Sequence, residues 1–191
     1  MADFTKSLKA VNVITRPLLA GAVAVAALSA VDAQAAMFLK LDGIKGESTD
    51  SKHKDEIDVI SFQFGLTADH SLSSGGAIRV TSPTCEGFSI TKTLDKSSPL
   101  LASAAMTGKV IKTGTVALSQ EGKSDTVYYT MILTDVVVAS FAQSGRESAV
   151  PVEEVSFLAR QLELRYRPPS EKGAPGAEVR ATLDCTSSGK F

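Results

Sequence analysis

The chain contains no tryptophan, and its two histidines and two cysteines show no close metal-binding spacing. Without tryptophan it lacks the usual side chain on which carbohydrates stack. It also lacks an excess of either charge, because 20 Lys+Arg face 21 Asp+Glu. That balance argues against a protein whose affinity for nucleic acid rests on neutralising phosphates, so we expect no nucleic-acid partner. The 43% of hydrophobic residues is typical of a globular chain.

Familiar catalytic motifs are missing as well. The chain has no nucleophile elbow, phosphate loop, dinucleotide fingerprint, H-E-x-x-H helix or C-x-x-C pair. His53 lies near Asp55, Glu56 and Asp58, which is the nearest approach to an acid–base cluster. We interpret this stretch as a solvated loop that leads into a strand. The sequence therefore predicts no enzyme, no catalytic residue, no cofactor and no metal site.

Two sets of charged residues on predicted strands are also interpreted as having no catalytic or binding role. Glu153 and Glu154 are adjacent, so on a strand they face opposite ways and cannot act as a carboxylate pair. Arg160, Arg165 and Arg167 could form a basic stripe, but an acidic residue interrupts it. We interpret these arginines as part of a solvated face.

The first 35 residues have the order of a secretory signal peptide. Three basic residues precede the uncharged run Leu18–Val31, and Ala33-Gln34-Ala35 provides an A-x-A cleavage site. The apolar run falls short of the ~20 residues that span a membrane, so we expect no stable membrane insertion. Cleavage after Ala35 would leave a domain of residues 36–191. A start codon at Met37 is the alternative, and it would leave the protein in the cytoplasm.

Cys85 and Cys185 both lie in the part that would remain after cleavage. An exported chain meets an oxidising compartment, where two cysteines allow a single internal pairing. We therefore expect a Cys85–Cys185 disulfide. The alternative is two separate buried thiols, and a location inside the cell would favour it.

Alternating apolar residues predict short strands along most of the remaining chain. The first strand is Met37–Leu41, and Ile57–Leu66 changes parity within the run, which indicates a bulge or a strand buried on both faces. The 67–76 stretch reads as a loop, and Pro83 divides the next two strands. Ser98 as N-cap, Pro99 and a closing Gly108 predict the one helix. Such an order of elements is typical of a mostly β barrel or sandwich.

Two sequence segments resemble one known family. From Met37 the chain runs MFLKLDGIKGESTDSKHKDEIDVISFQFG, and Ser89–Pro99 reads SITKTLDKSSP. Together they resemble the haemolysin-coregulated protein family, Hcp, which forms the tube of bacterial type VI secretion systems. The later strands are similar to the family's as far as about Tyr166. Where many members have a Trp, this chain has Phe62 and Phe64.

The resemblance implies a β-barrel of two packed sheets with one short flanking helix. It also implies self-assembly into homo-hexameric rings that stack into a secreted tube, with spike, sheath and effector proteins as further partners. Family analogy makes one loop, the Asp42–Asp55 loop, a candidate ring-to-ring contact. Its residues of interest are Asp42, Gly43, Lys45, Gly46, Glu47 and Asp50. The family's core domain has no catalytic residues to carry over.

A second function class stays open because of the predicted signal peptide. The chain could be an exported Hcp-like binding or adhesive module, periplasmic or extracellular, that is no longer part of a tube. The fate of residues 1–35 separates this hypothesis from the tube subunit.

Overall fold

The computed structural model describes residues 35–120, 126–168 and 176–186. These residues form eight strands and one helix, and the prediction of a mostly β fold with a single short helix is confirmed. In chain order the elements are β1 (Ala35–Leu41), β2 (Ile57–Asp58), β3 (Ser61–Leu72), β4 (Ile78–Thr93), α1 (Ser98–Thr107), β5 (Ile111–Gln120), β6 (Thr126–Ser144), β7 (Val152–Tyr166) and β8 (Val179–Asp184).

All eight strands belong to one antiparallel sheet in the order β2-β1-β5-β6-β7-β4-β3, and β8 also pairs with β7. The two ends of this order, β2 and β3, are separated in the chain only by Val59 and Ile60. The Val59 amide donates to Met37 O of β1 at 2.9 Å, and the Ile60 amide donates to Thr91 O of β4 at 2.8 Å. The chain itself therefore joins both ends of the sheet around one core.

The core is filled from the inward positions of almost every strand. Leu39, Ile57, Ile90, Leu133 and Val155 are essentially inaccessible and belong to one hydrophobic cluster, although they come from five different strands. Alternation of buried and exposed positions is expected for an antiparallel sheet with one face on the core and the other face in solvent. The result is a single core enclosed by a wrapped sheet.

The helix begins one residue earlier than the sequence predicts. Ser97 occupies the N-cap without a side-chain capping bond, so Ser98 is the first helical residue and not the cap. The buried Ser98 hydroxyl is instead engaged in a polar cluster described below. Gly108 ends the helix in the left-handed conformation, as expected. Among the described residues, none of the helices is both long and apolar enough to cross a membrane.

Three predicted breaks differ in the structure. The parity change after Ile57 marks two separate strands, because the chain turns from pairing with β1 to pairing with β4. The expected loop after Leu66 is strand as far as Leu72. Pro83 does not divide β4, since its position pairs with Ala68 on β3 and lies outside the part of β4 that pairs with β7. A proline needs no donor on such an open edge.

Candidate functional site

The first feature that stands out is a two-stranded ribbon that leaves the barrel. We call it the arm: Leu66–Leu72 of β3 paired with Ile78–Cys85 of β4, joined by the turn at 73–77. The Ser73 amide donates to Ala77 O at 3.0 Å, which closes the turn. Pairing between β4 and β7 starts only at Phe88, so β4 in the arm has β3 as its strand partner within the described ranges.

One face of the arm is apolar although it is exposed. Phe62 and Phe64 of β3 pack against the core, and the same parity continues outward through Leu66 and Ala68 to Leu72. On β4 the paired positions include Ile78, Val80 and Pro83. Leu72 and Ile78 are 77% and 71% exposed. The inward face of the barrel therefore extends onto the arm, where no residue of the described chain covers it.

The opposite face of the arm is polar. Thr67 pairs with Thr84, and Ser71 pairs with Arg79, at the positions between the apolar pairs. Among the side chains that the structure describes in the arm, His70 is the polar one on the apolar face. This pattern is typical of a strand pair with one covered side, and it is the signal in the sequence from which the arm could have been predicted.

A disulfide lies at the base of the arm. Cys85 and Cys185 are joined with an S–S distance of 2.00 Å, across a sequence separation of 100 residues. Cys85 pairs with Leu66, the first pair of the arm, while the Cys185 amide donates to Arg160 O of β7 at 2.9 Å. β4 and β8 pair with consecutive stretches of β7, and the disulfide connects them where they diverge.

The pairing of β3 with β4 shifts register between Gly65 and Leu66, at the base of the arm, and again between Asp69 and His70. Glu86 is an extra residue on β4 between the Gly65–Gly87 pair and the Leu66–Cys85 pair. Gly87 has φ +97°, and a Cβ there would lie 2.9 Å from Phe157 O. Only glycine permits this conformation and this close approach to β7. The bulge is thus the point at which the arm departs from the barrel.

The second feature is the Asp42–Asp55 loop, which is well ordered by its own backbone. The Gly46 amide donates to Asp55 O at 2.8 Å, and the Asp55 amide donates to Ser48 O at 3.0 Å. The side chains of Ile44 and Ser48 are buried, whereas those of Lys45 and Glu47 between them are exposed. Strand-like alternation therefore presents one edge of the loop to the outside.

The six candidate contact residues of this loop divide into structural and outward-facing positions. Gly43 adopts φ +77°, and Gly46 is buried, where a Cβ would lie 2.2 Å from Glu56 O. Asp50 Oδ1 accepts backbone hydrogen bonds from residues 52 and 53 at 2.8 and 3.0 Å. The hydrogen bond from the Lys52 amide, the largest influence, lowers the pKa of Asp50. Asp42, Lys45 and Glu47 are the members with exposed side chains.

A cavity of about 870 Å³ lies between this loop and the start of α1. Its lining includes five lysines, namely Lys40, Lys45, Lys52, Lys54 and Lys96. Asp55 meets two of them, with Oδ2 3.3 Å from Lys45 Nζ and Oδ1 3.4 Å from Lys96 Nζ. These hydrogen bonds, from Lys45 first and then Lys96, hold the pKa of Asp55 below its ordinary value. The loop is thereby tied to the helix start.

His53 is buried, so its interpretation as part of a solvated loop was wrong. Its ring stacks on Phe38 with centroids 4.2 Å apart, and its Nδ1 lies 2.8 Å from Glu56 Oε2. Its Nε2 has no hydrogen-bond partner among the described residues. The imidazole packs the loop onto β1, and of the three carboxylates in the candidate cluster Glu56 is the one that it meets.

A buried ionic cluster joins the helix start to two strands. Lys92 Nζ contacts Glu153 Oε2 at 2.7 Å, Asp95 Oδ1 at 2.8 Å and Ser98 Oγ at 3.0 Å. Ser98 Oγ donates to Glu153 Oε2 at 2.7 Å, and Gln143 Nε2 donates to Glu153 Oε1 at 2.9 Å. Lys92 and Glu153 are fully buried and directly paired in the sheet register. Lys92 meets the carboxylates of both Glu153 and Asp95, and hydrogen bonds from Ser98 and Gln143 complete the surroundings of Glu153, so removal of Lys92 would leave a buried carboxylate without its cation.

Burial and the hydrogen bonds of the cluster shift the pKa of Asp95 in opposite directions. Burial raises the pKa of this carboxyl, but the hydrogen bonds from Lys92 and Ser97 outweigh it, so the pKa of Asp95 lies below its ordinary 3.8. The sequence analysis missed this cluster. The signal was there, since Lys92 shares the parity of the buried Phe88 and Ile90.

The remaining charged candidates behave as a solvated face. Arg160 Nε pairs with Asp135 Oδ2 at 2.7 Å, Arg165 Nε with Glu163 Oε1 at 2.8 Å and Arg167 Nε with Glu178 Oε2 at 2.6 Å. No group of three or more potential metal ligands is found in the described part of the chain.

Comparison with known proteins decides the family. Residues 38–166 match the family model described as "Type VI secretion system effector, Hcp". The chain belongs to the Hcp family. It is 33% identical to the protein named hcp1 of Pseudomonas aeruginosa over 141 residues, which cover 72% of this chain and 86% of the relative.

Solved Hcp structures share the fold. A structure described as a type six secretion system protein superposes with a TM-score of 0.75 at 26% identity, covering 79% of this chain and 96% of that one. Hcp1 from Salmonella typhimurium has a TM-score of 0.62 at 26% identity, covering 79% and 94%. This Hcp-family chain is thus a type VI secretion protein of a structural, non-enzymatic family.

Proposed function

We propose that this chain is a self-assembling tube subunit, which forms homo-hexameric rings that stack and carry effectors, with spike and sheath proteins as partners. The observation that supports this most is the apolar face of the arm. Leu72, Ile78 and Val80 are each more than half exposed. Leaving such a strand pair open to water favours association with another surface. A second copy of the chain supplies that surface in a closed ring.

The outward edge of the Asp42–Asp55 loop is the proposed ring-to-ring contact. Asp42, Lys45 and Glu47 are exposed on a backbone that internal hydrogen bonds hold in place. Two of them are also oriented by the chain, since Lys45 Nζ lies 3.3 Å from Asp55 Oδ2 and Glu47 Oε1 accepts from the Lys96 amide at 3.2 Å. A rigid charged rim selects a partner orientation at low entropic cost. The two features together give a subunit one apolar contact and one polar contact.

The test is native mass spectrometry of the full chain, wild type and variant. Leu72→Ser/Ile78→Ser removes apolar area from the arm, and we expect ~10-fold weaker association or more from the lost burial. The matched control, Ser71→Ala/Thr84→Ser, alters the polar face and leaves the six-subunit species in place. A wild type that stays monomeric at every concentration contradicts the proposal.

An exported module outside the tube is a second candidate, and the disulfide is the observation that favours it. Structural disulfides persist in oxidising compartments. The predicted signal peptide, residues 1–35, lies outside the described residues apart from Ala35, the first residue of β1, which pairs with Gln120 of β5. Cleavage after Ala35 would leave Ala36 at the start of that strand.

The mass of the chain recovered from each bacterial compartment separates the two candidates. Periplasmic material that begins at Ala36, is two hydrogens light and remains monomeric supports the exported module. A six-subunit species of the uncut chain, or of a chain that starts near Met37, recovered from the cytoplasm supports the tube subunit.

A further inference from the structure

We infer that the cavity between the Asp42–Asp55 loop and the start of α1 is a docking site for another protein, and that it takes an acidic peptide segment carrying an apolar side chain. We call this cavity the lysine pocket. It adds a partner chemistry that the proposed contacts between subunits do not supply. It does not depend on a six-subunit ring, because all of its lining belongs to one chain.

The lining of the lysine pocket is positively charged although the whole chain is not. Five lysines meet three carboxylates there, those of Asp42, Asp55 and Glu56, whereas the complete chain has a formal net charge of -1. A cleft that is lined mainly by one sign of charge concentrates the electric field and attracts ligands of the opposite sign. The pocket is therefore complementary to an anionic partner.

Two of these lysines lack a carboxylate partner in the part of the chain that the structure describes. Asp55 is shared between Lys45 and Lys96, at 3.3 and 3.4 Å. Lys40 and Lys54 also line the pocket and are exposed, but neither forms an ion pair with a described residue. An acidic segment would supply the carboxylates that these two ammonium groups do not find within their own chain.

The lysine pocket also has an apolar part. Leu41 and Ile44 belong both to its lining and to the core, and Leu100 of α1 is 49% exposed there. A half-exposed leucine beside charged groups can bury one apolar side chain of a ligand, which a purely electrostatic site does not offer. Docking sites of proteins commonly combine such an apolar contact with a polar rim.

The size and the charge distribution favour a peptide over a single small anion. The volume of about 870 Å³ lies within the roughly 300–1,000 Å³ of ligand sites. The lysines come from separate places, with Lys40 on β1, Lys54 in the loop and Lys96 before α1. Charges spread around a cavity match carboxylates spaced along a peptide, whereas one phosphate needs donors that converge on one point.

The lysine pocket is formed before any partner binds. Asp55 ties the loop to Lys96, and the Lys96 amide donates to Glu47 Oε1 of the same loop at 3.2 Å. Backbone hydrogen bonds at Gly46 and Asp55 hold the loop itself. A site that is already ordered loses little conformational freedom on binding, which favours affinity for a short segment.

The charge contribution is tested by fluorescence polarisation of the full chain with a labelled Glu-Glu-Leu-Glu-Glu peptide as the probe. We expect Lys40→Gln/Lys54→Gln to weaken binding about threefold to tenfold, because two exposed charge contacts are lost. The matched control is Lys109→Gln/Lys112→Gln, which removes the same charge from exposed positions outside the lining. The control should bind the peptide as the wild type does.

The apolar contribution is tested in the same assay. Leu100→Ser should weaken binding about threefold, because less apolar surface is buried. Met106→Ser is the matched control on the same helix, since Met106 is exposed and lies outside the lining. A Glu-Glu-Ser-Glu-Glu peptide should bind the wild type more weakly than the leucine peptide does.

Several outcomes would overturn the inference. Equal weakening by the lysine variant and its control would indicate a diffuse cationic surface. Equal affinity for the leucine and serine peptides, with displacement of both by sodium triphosphate, would indicate a simple anion site. If the wild type binds no peptide and the six-subunit species is lost in Lys40→Gln/Lys54→Gln, the occupant is a second copy. Peptide binding by a wild type that stays monomeric contradicts the proposed function alone and leaves the lysine pocket standing.

Discussion

At the scale of single residues, the buried pair of Lys92 and Glu153 shows how a charge can occupy a core position. Both side chains are fully inaccessible, and the Nζ–Oε2 distance is 2.7 Å. Ser98 and Gln143 hydrogen bond to the same carboxylate. Removing both ions together is often tolerated, whereas removing one leaves the other buried without compensation.

The cluster makes a prediction for Lys92→Met. This variant leaves the Glu153 carboxylate buried without its cation, so we expect the free energy of unfolding to fall by about 3–5 kcal/mol. The double variant Lys92→Met/Glu153→Leu should lose less than the single one, a non-additive result that denaturant titration measures. Equal or greater loss in the double variant would show that the ion pair itself is not the source of the effect.

Gly46 carries a second prediction at this scale. A Cβ at Gly46 would lie 2.2 Å from Glu56 O and 2.5 Å from Ile57 Cα, so Gly46→Ala must displace backbone. We expect it to destabilise the fold by at least about 2 kcal/mol, measured by denaturant unfolding. Gly75→Ala is the control, since a Cβ there meets no atom within 4 Å. Similar values for both variants would contradict the close approach.

At the scale of elements, strands could be predicted from sequence where one face is buried. The residues at which these strands begin and end could not. Alternation indicated β1, β5 and β7, because their inward positions fill the core. Pro83 and the polar 67–76 stretch resemble breaks in sequence, because the alternation of apolar and polar residues in the arm is interrupted by His70 and by the register shift between Asp69 and His70. Long-range register decided these cases, and no local pattern records it. The loop at Asp42–Asp55 was recognisable by its motif, whereas the alternation in the arm and the parity of Lys92 are present in the sequence but gain their meaning from the sheet order.

The start of α1 carries a prediction on pH. The pKa of Asp95 is lowered in the folded state, so its contribution to stability is present above the ordinary 3.8 and is lost as pH falls through the folded pKa. Asp95→Asn should therefore be less stable than wild type near neutral pH, by about 1–3 kcal/mol for hydrogen bonds to a charged group. The gap should narrow as pH falls below 3.8. Unfolding titrations of both proteins across this range measure it, and a gap independent of pH would contradict the assignment.

At the scale of the whole molecule, the fold is joined at two places that are distant in sequence. The residues between β2 and β3 bond to β1 on one side and to β4 on the other, which joins the two ends of the wrapped sheet through two backbone hydrogen bonds and not through a β2–β3 ladder. The disulfide joins β4 to the chain beyond β8, across 100 residues. The first connection consists of backbone hydrogen bonds and does not depend on the redox state of the compartment. The second is a disulfide and forms only where the two cysteines are oxidised.

The contribution of the disulfide to stability is therefore a prediction for the whole chain. A bond that closes a loop of 100 residues would stabilise by about 4.7 kcal/mol from chain entropy alone, and disulfides typically contribute about 2–4 kcal/mol. For a domain of this size that is a melting temperature higher by roughly 5–15 °C. Cys85→Ser and Cys185→Ser should each lower the melting temperature of oxidised protein by a similar amount, and the double variant should add little further, because either change breaks the same bond. Calorimetry of the three variants measures this, and independent, additive losses would mean that each cysteine stabilises the core as a separate thiol.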